Sequence, residues 1–204
     1  MKKQTIAKLS VLTALIAFST ISTANASQII GSANGISAPA VTLTFNEVVL
    51  PDSTSLTNQY SAYGVTFSGL YYNPCSGCVV LPAKPDVGNF TGNNTSTYNS
   101  GFDIDFSSNV TGASFRFASN GGTFGFAAYN GATLVDSFSA NGSAWGNYGF
   151  ENLTFNRIHV SSPSALLIDN LSVTAVPEPE TYAMLLAGLG VMGAVVRRRK
   201  AKQA

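Results

Sequence analysis

The sequence predicts an all-β fold, an antiparallel β-sandwich of the jelly-roll kind, for residues 27–176 of a 204-residue chain. Three observations carry this. Apolar and polar residues alternate in short runs, which is the two-residue period of a half-buried strand. No longer stretch of this span repeats its apolar positions at the helical period. Asn and Gly, 16 of each in this span, punctuate the runs, and both tolerate the left-handed backbone of tight turns.

The elements follow in order. Val41, Leu43 and Phe45 share one face of a first strand, and Val65 and Phe67 do so within Gly64–Gly69. Phe102, Ile104 and Phe106 alternate with Asp103 and Asp105, and Ala113, Phe115 and Phe117 with Ser114 and Arg116. The turn Asn120-Gly121-Gly122 leads to Phe124 and Phe126, and further strands are expected at 132–138, 153–160 and 165–175. The polar stretch 85–100 reads as a long surface loop. Eight or so short strands separated by Asn/Gly turns describe a sandwich or barrel.

Charge divides the chain into three. Residues 1–26 hold Lys2, Lys3 and Lys8 and no acid, while residues 27–176 hold three basic residues against eight acidic ones. Residues 177–204 hold five basic residues and two acidic ones. The formal charge of +1 is therefore no property of the body, which is acidic. An acidic body excludes a nucleic-acid partner, because phosphate recognition needs a concentrated basic surface.

Both terminal segments read as addresses. Residues 1–26 place a basic start before a short apolar run and the small-residue end Ala24-Asn25-Ala26, the order of a secretory signal peptide. In residues 177–204, Pro177, Glu178 and Pro179 precede an apolar helix at about 181–196 and a basic end at 197–202. Arg197, Arg198, Arg199 and Lys200 would be retained on the cytoplasmic side of a membrane, placing the body outside. This tail resembles the PEP-CTERM sorting signal of Gram-negative bacteria. The resemblance implies export across the inner membrane, transient C-terminal anchoring there, and processing by an exosortase near Pro-Glu-Pro. It also implies association with exopolysaccharide or a cell-surface glycan, in the envelope or extracellular matrix. Tails of this type are also labelled an ice-binding protein C-terminal domain, but the tail is an address and implies no ice binding.

Within the body, Leu43-Thr44-Phe45, Leu50-Pro51, Asn58-Gln59-Tyr60, Gly64 to Gly69 and Ile168 to Val173 resemble a body found in many such proteins. Those bodies are similar to β-sandwich carbohydrate-binding modules. Exposed aromatics beside polar residues would stack on sugar rings, and Trp145 with Tyr148, and Tyr71 with Tyr72, have that chemistry. The other reading of a lone Trp in a β domain is a core residue. Arg116 and Arg157 project from strand faces and could flank an anionic glycan.

Cys75 and Cys78, in an exported chain, read as a disulfide closing a small loop. A redox role would need a helix start, and zinc would need more ligands than His159 adds. Glu47 and Asp169 break the pattern, because each continues an apolar phase. A carboxylate there is costly unless hydrogen-bonded or bound to a cation. One expectation is that they meet where the first and last strands lie side by side and hold a structural Ca²⁺ with backbone carbonyls. The alternatives are that each caps a neighbouring N–H, or that a bulge turns it outward. No cofactor is required by any motif.

Catalysis has little to build on. There is no Gly-x-Ser-x-Gly elbow, and the single His159 is out of phase with Ile158 and Val160. Asp103 and Asp105 lie on one strand face about 7 Å apart, within reach of glycosidase geometry. They read more simply as solubilising acids. The expected function is a non-enzymatic, exported polysaccharide binder. A purely structural or adhesive matrix protein is the alternative, and a glycan-active enzyme a distant one.

Overall fold

A computed structural model of the chain describes residues 26–75, 85–92, 94–142 and 146–175, together with Gly188, Leu189 and Met192, which are helical. The strands are β1 (Ser27–Ser32), β2 (Val41–Leu43), β3 (Val65–Ser68), β4 (Tyr71–Tyr72), β5 (Val87–Gly88), β6 (Gly101–Ser119), β7 (Thr123–Asn130), β8 (Thr133–Asn141), β9 (Gly146–Ser161) and β10 (Leu166–Ala175). A 3-10 turn spans Ser61–Tyr63. The strand pairings of the sheet are antiparallel, so the body is all-β as its alternation predicts.

Two long strands organise the sheet. The apolar runs at 102–106 and 113–117, which the sequence presents as separate strands, belong to one strand, β6. Its inward positions are even (Phe102, Ile104, Phe106) and then odd (Ala113, Phe115, Phe117), with an exposed Ser107-Ser108-Asn109 between them. The β6–β9 register slips between Asp105 and Val110 and again before Gly112. A bulge here bends the strand and changes its inward phase without ending it. β9 bends at the matching level, where Asn152 takes a positive φ of 59°.

The bends give two layers from one continuous sheet. The first runs β3, the first half of β6, the second half of β9, β7 and β8. The second runs β4, β5, β10, the second half of β6, the first half of β9, and β1, with β2 beside β10. Aromatic rings fill the space between. Phe126 of β7 stacks on Tyr148 of β9 at 5.2 Å, Phe117 meets Phe124 at 4.8 Å, and Phe102 meets Phe115 at 6.3 Å. Each such fully buried ring contributes on the order of 1.5–3 kcal/mol through area removed from water.

The stretch 85–100, expected as loop, contributes β5 and the bridge Phe90↔Tyr98. β5 is only two residues long, too short for any periodic signal. β1 precedes the first strand expected from alternation and pairs with β9. Residues 1–25, the signal-peptide segment, lie outside the described residues, as do 176–187 and 193–204 of the tail. Among the described residues no helix is long and apolar enough to cross a membrane.

Candidate functional site

A polar row crosses the outer face of the second layer. Strand partners in an antiparallel sheet project to the same face. Arg116 is partnered by Asp169 on one side and by Asn147 on the other, and Asn147 by Ser32. One residue beyond the Val87↔Ile168 pair, Asp86 extends the row past Asp169. The flanking Val87, Ile168 and Phe117 point into the core. The row is buried at its acidic end, where Asp86 is 0% and Asp169 1% exposed, and opens to solvent at Arg116 and Asn147.

The open end is a cleft of about 440 Å³ lined by Ser32, Ala33, Arg116, Gly146, Asn147 and Asn170. Each lining residue has a local reason to be there. Asn147 Nδ2 donates to the carbonyls of Ser32 and Ala33, both at 3.1 Å, which ties β1 to β9 and fixes the amide. Gly146 has to be glycine, because a Cβ would lie 2.7 Å from Gly31 Cα. Asn170 has a φ of +50° and sits in the register shift between Asp169 and Ser172, so it leaves the β10 ladder. A guanidinium with two carboxamides and a hydroxyl combines donors and acceptors in the way a hydroxyl-rich ligand needs.

Glu47 and Asp169 belong to neighbouring parts of the fold. β2 and β10 are neighbours, with Leu43 opposite Leu171. Phe45 adopts a φ of +60°, so the chain turns after β2 and Glu47 is half-buried in the segment that follows. Its Oε1 accepts from Thr44 N at 2.8 Å and Thr44 Oγ1 at 3.0 Å, and Asp169 Oδ1 accepts from Asn170 N at 2.7 Å. Capping of neighbouring N–H groups thus uses one oxygen of each carboxylate. Burial pushes the Asp169 carboxyl up to about 6; Asp86 and Glu47 add to the rise, and the Asn170 N–H and Arg116 oppose it. Among the described residues, no three Asp, Glu, His or Cys side chains converge closely enough to hold a metal ion by themselves.

The outer face of the first layer explains the other acids. Asp103 is opposite His159 and Asp105 opposite Arg157, so the acid pair faces an imidazole and a guanidinium across the strands. His159 Nδ1 lies 2.9 Å from Asp103 Oδ1, and Ser68 Oγ donates to Asp103 Oδ2 at 3.2 Å. The carboxylate therefore sits between hydroxyl and imidazole, the reverse of the Ser–His–Asp order that activates a nucleophile. The Arg157 guanidinium lies 4.6 Å from the centre of the Tyr129 ring.

Two of the expected stacking residues are core residues. Tyr72 is 5% and Tyr148 4% exposed, and Tyr148 stacks on Phe126, so neither presents a face to a sugar. Tyr148 obeys the inward phase of β9, and Tyr72 packs into the core from the two-residue β4. Tyr71 is half-exposed on β4. Trp145, directly before Gly146 of the cleft, lies outside the described residues, as does Cys78. Cys75 is buried against Phe90, Ala118, Ala165 and Leu167. Pro177, Glu178, Pro179, Arg197, Arg198, Arg199 and Lys200 also lie outside the described residues. Sequence reasoning missed Asn147 and Asn170. Their only sequence signal is an Asn inside a strand pattern, a residue depleted from strands.

Residues 175–200 match the PEP-CTERM protein-sorting motif. A motif of this kind marks an exported chain that is anchored through its C-terminal segment for processing by an exosortase. No curated protein matches the chain. A solved structure of a mutant family 29 carbohydrate-binding module, studied for ligand recognition, superposes with a TM-score of 0.31 at 14% identity. The superposition covers 56% of this chain and 98% of that one. The fold assignment rests on the strand pairings described above, not on that likeness.

Proposed function

We propose that this chain, which carries a PEP-CTERM sorting motif, is an envelope or extracellular-matrix protein whose β-sandwich binds polysaccharide without acting on it. The observation that carries the reading is the cleft at the open end of the polar row. Arg116, Asn147, Asn170 and Ser32 line it. Trp145 adjoins it in sequence and has the ring chemistry to stack on a sugar. Arg116 favours a glycan bearing carboxylate or sulfate groups, because a guanidinium pairs with such groups in two parallel hydrogen bonds. The export route also supports a disulfide between Cys75 and Cys78, since thiols so close pair in an oxidising compartment.

The test is retention of the full chain on exopolysaccharide from the producing organism, by affinity electrophoresis. The wild type is expected to be retarded, and Arg116→Ala and Trp145→Ala to weaken binding about tenfold each, the effect of one lost charged or stacking contact. A chain that reaches the envelope yet shows no retardation would instead be a structural or adhesive matrix component. Release of reducing ends from the polysaccharide would make it an enzyme.

A further inference from the structure

Buried side-chain oxygens gather around the buried end of the polar row. Glu47 Oε2, Asn73 Oδ1 and Asp169 Oδ2 are buried and have no hydrogen-bond donor. The wholly buried Asp86 stands among them. Backbone pairing fixes their adjacency, for Asn73 N donates to Asp86 O at 2.7 Å, and Val87 pairs with both Tyr72 and Ile168. Asn73, Asp86 and Asp169 are thus successive neighbours across β4, β5 and β10. Glu47 enters from the segment after β2, the strand that runs beside β10.

Asn73 supplies the independent observation. An amide beside buried carboxylates would normally offer them its N–H groups. Here Nδ2 instead donates to Asp52 Oδ1 at 2.6 Å, while Oδ1 is the buried, donorless end. The amide therefore adds an acceptor to a place already crowded with acceptors. Oxygens arranged this way are costly to bury unless a cation meets them.

We propose that Glu47, Asn73, Asp86 and Asp169 form a structural calcium site. The donor set is all oxygen, with neither nitrogen nor sulfur, which suits a hard cation and not zinc. Ca²⁺ accepts about 6–8 oxygens, amide and main-chain carbonyls included, in irregular geometry, whereas Mg²⁺ needs a near-ideal octahedron and keeps its waters. The carboxylates by themselves make no closed site, so Asn73 Oδ1 and main-chain carbonyls are needed to complete the shell. It joins β4 and β5, of two residues each, and the three-residue β2 to β10. Strands this short have few ladder bonds to hold them. The site is separate from the glycan reading, since its ligand oxygens are buried and none of its residues lines the open cleft.

The experiment titrates CaCl₂ into the full chain after EGTA treatment, by calorimetry and by thermal melting. Binding of one ion per chain is expected, with Tm raised by about 5 °C or more in 1 mM calcium. Magnesium is expected to give less than half that shift. Asp169→Asn should abolish the shift, and Asn73→Asp, which adds a charge to the shell, should tighten binding. Absence of binding heat with equal Tm in EGTA and in calcium would overturn the proposal, and so would an unchanged shift in Asp169→Asn. Should Asp169→Asn fail to fold, Asn73→Asp decides, because unchanged calcium affinity there excludes these ligands.

Discussion

Asp105 shows what a single carboxylate costs on a strand face. Burial and the neighbouring Asp103 push its pKa up, and Arg157 offsets only part of the rise. Its folded pKa therefore lies above its unfolded one, and between the two the folded state holds the extra proton. Stability falls as pH rises through that window, and the penalty is complete above the folded pKa. Asp105→Asn is expected to raise Tm at pH 7 and leave it nearly unchanged at pH 3.5, a comparison that two thermal melts per variant make. A destabilised Asp105→Asn at pH 7 would mean that its attraction to Arg157 outweighs its burial. Glu47 and Asp169 were legible at this scale because a charge within an apolar phase is visible in the sequence. Asp86 was not, since β5 is too short to have a phase to break. Tyr148 misled for the opposite reason, because its polar neighbours suggested a surface while the strand period turned it inward.

At the scale of elements, the phase change in β6 was present in the sequence all along. Phe102, Ile104 and Phe106 are even, and Ala113, Phe115 and Phe117 odd, and only a bulge reconciles them within one strand. Periodicity alone cannot distinguish a bulge from a loop, since both appear as a polar interruption. β1 escaped notice because most of its residues are exposed and its apolar pair, Ile29 and Ile30, is adjacent rather than alternating. Its attachment depends on close backbone approach at Gly146. Gly146→Ala would bring a Cβ to 2.7 Å from Gly31 Cα, so either β1 or β9 has to shift. A loss of about 1–3 kcal/mol is expected, the usual cost of overpacking, with urea unfolding as the measurement. A neutral result would show that β1 is free to move away without penalty.

In the whole molecule, the layers are not separable units. β6 and β9 each contribute one half to either layer, and the aromatic core lies between those halves. Melting one layer would unpair the strands that define the other. Residues 27–176 are therefore expected to unfold in one step, with near-ultraviolet and far-ultraviolet circular dichroism melts superimposing. Separated transitions would show that the bends act as hinges between independent sheets. The antiparallel sandwich could be foreseen from composition and alternation, whereas its derivation from a single folded sheet needed the long-range register.

β10 ends at Ala175, and the sorting motif begins at that same residue. The last strand of the body and the sorting motif therefore meet at a single residue. A cut within Pro-Glu-Pro frees a domain with every strand intact. A cut only a few residues upstream would remove Val173 from its place opposite Val41 and release a domain already coming apart at the seam.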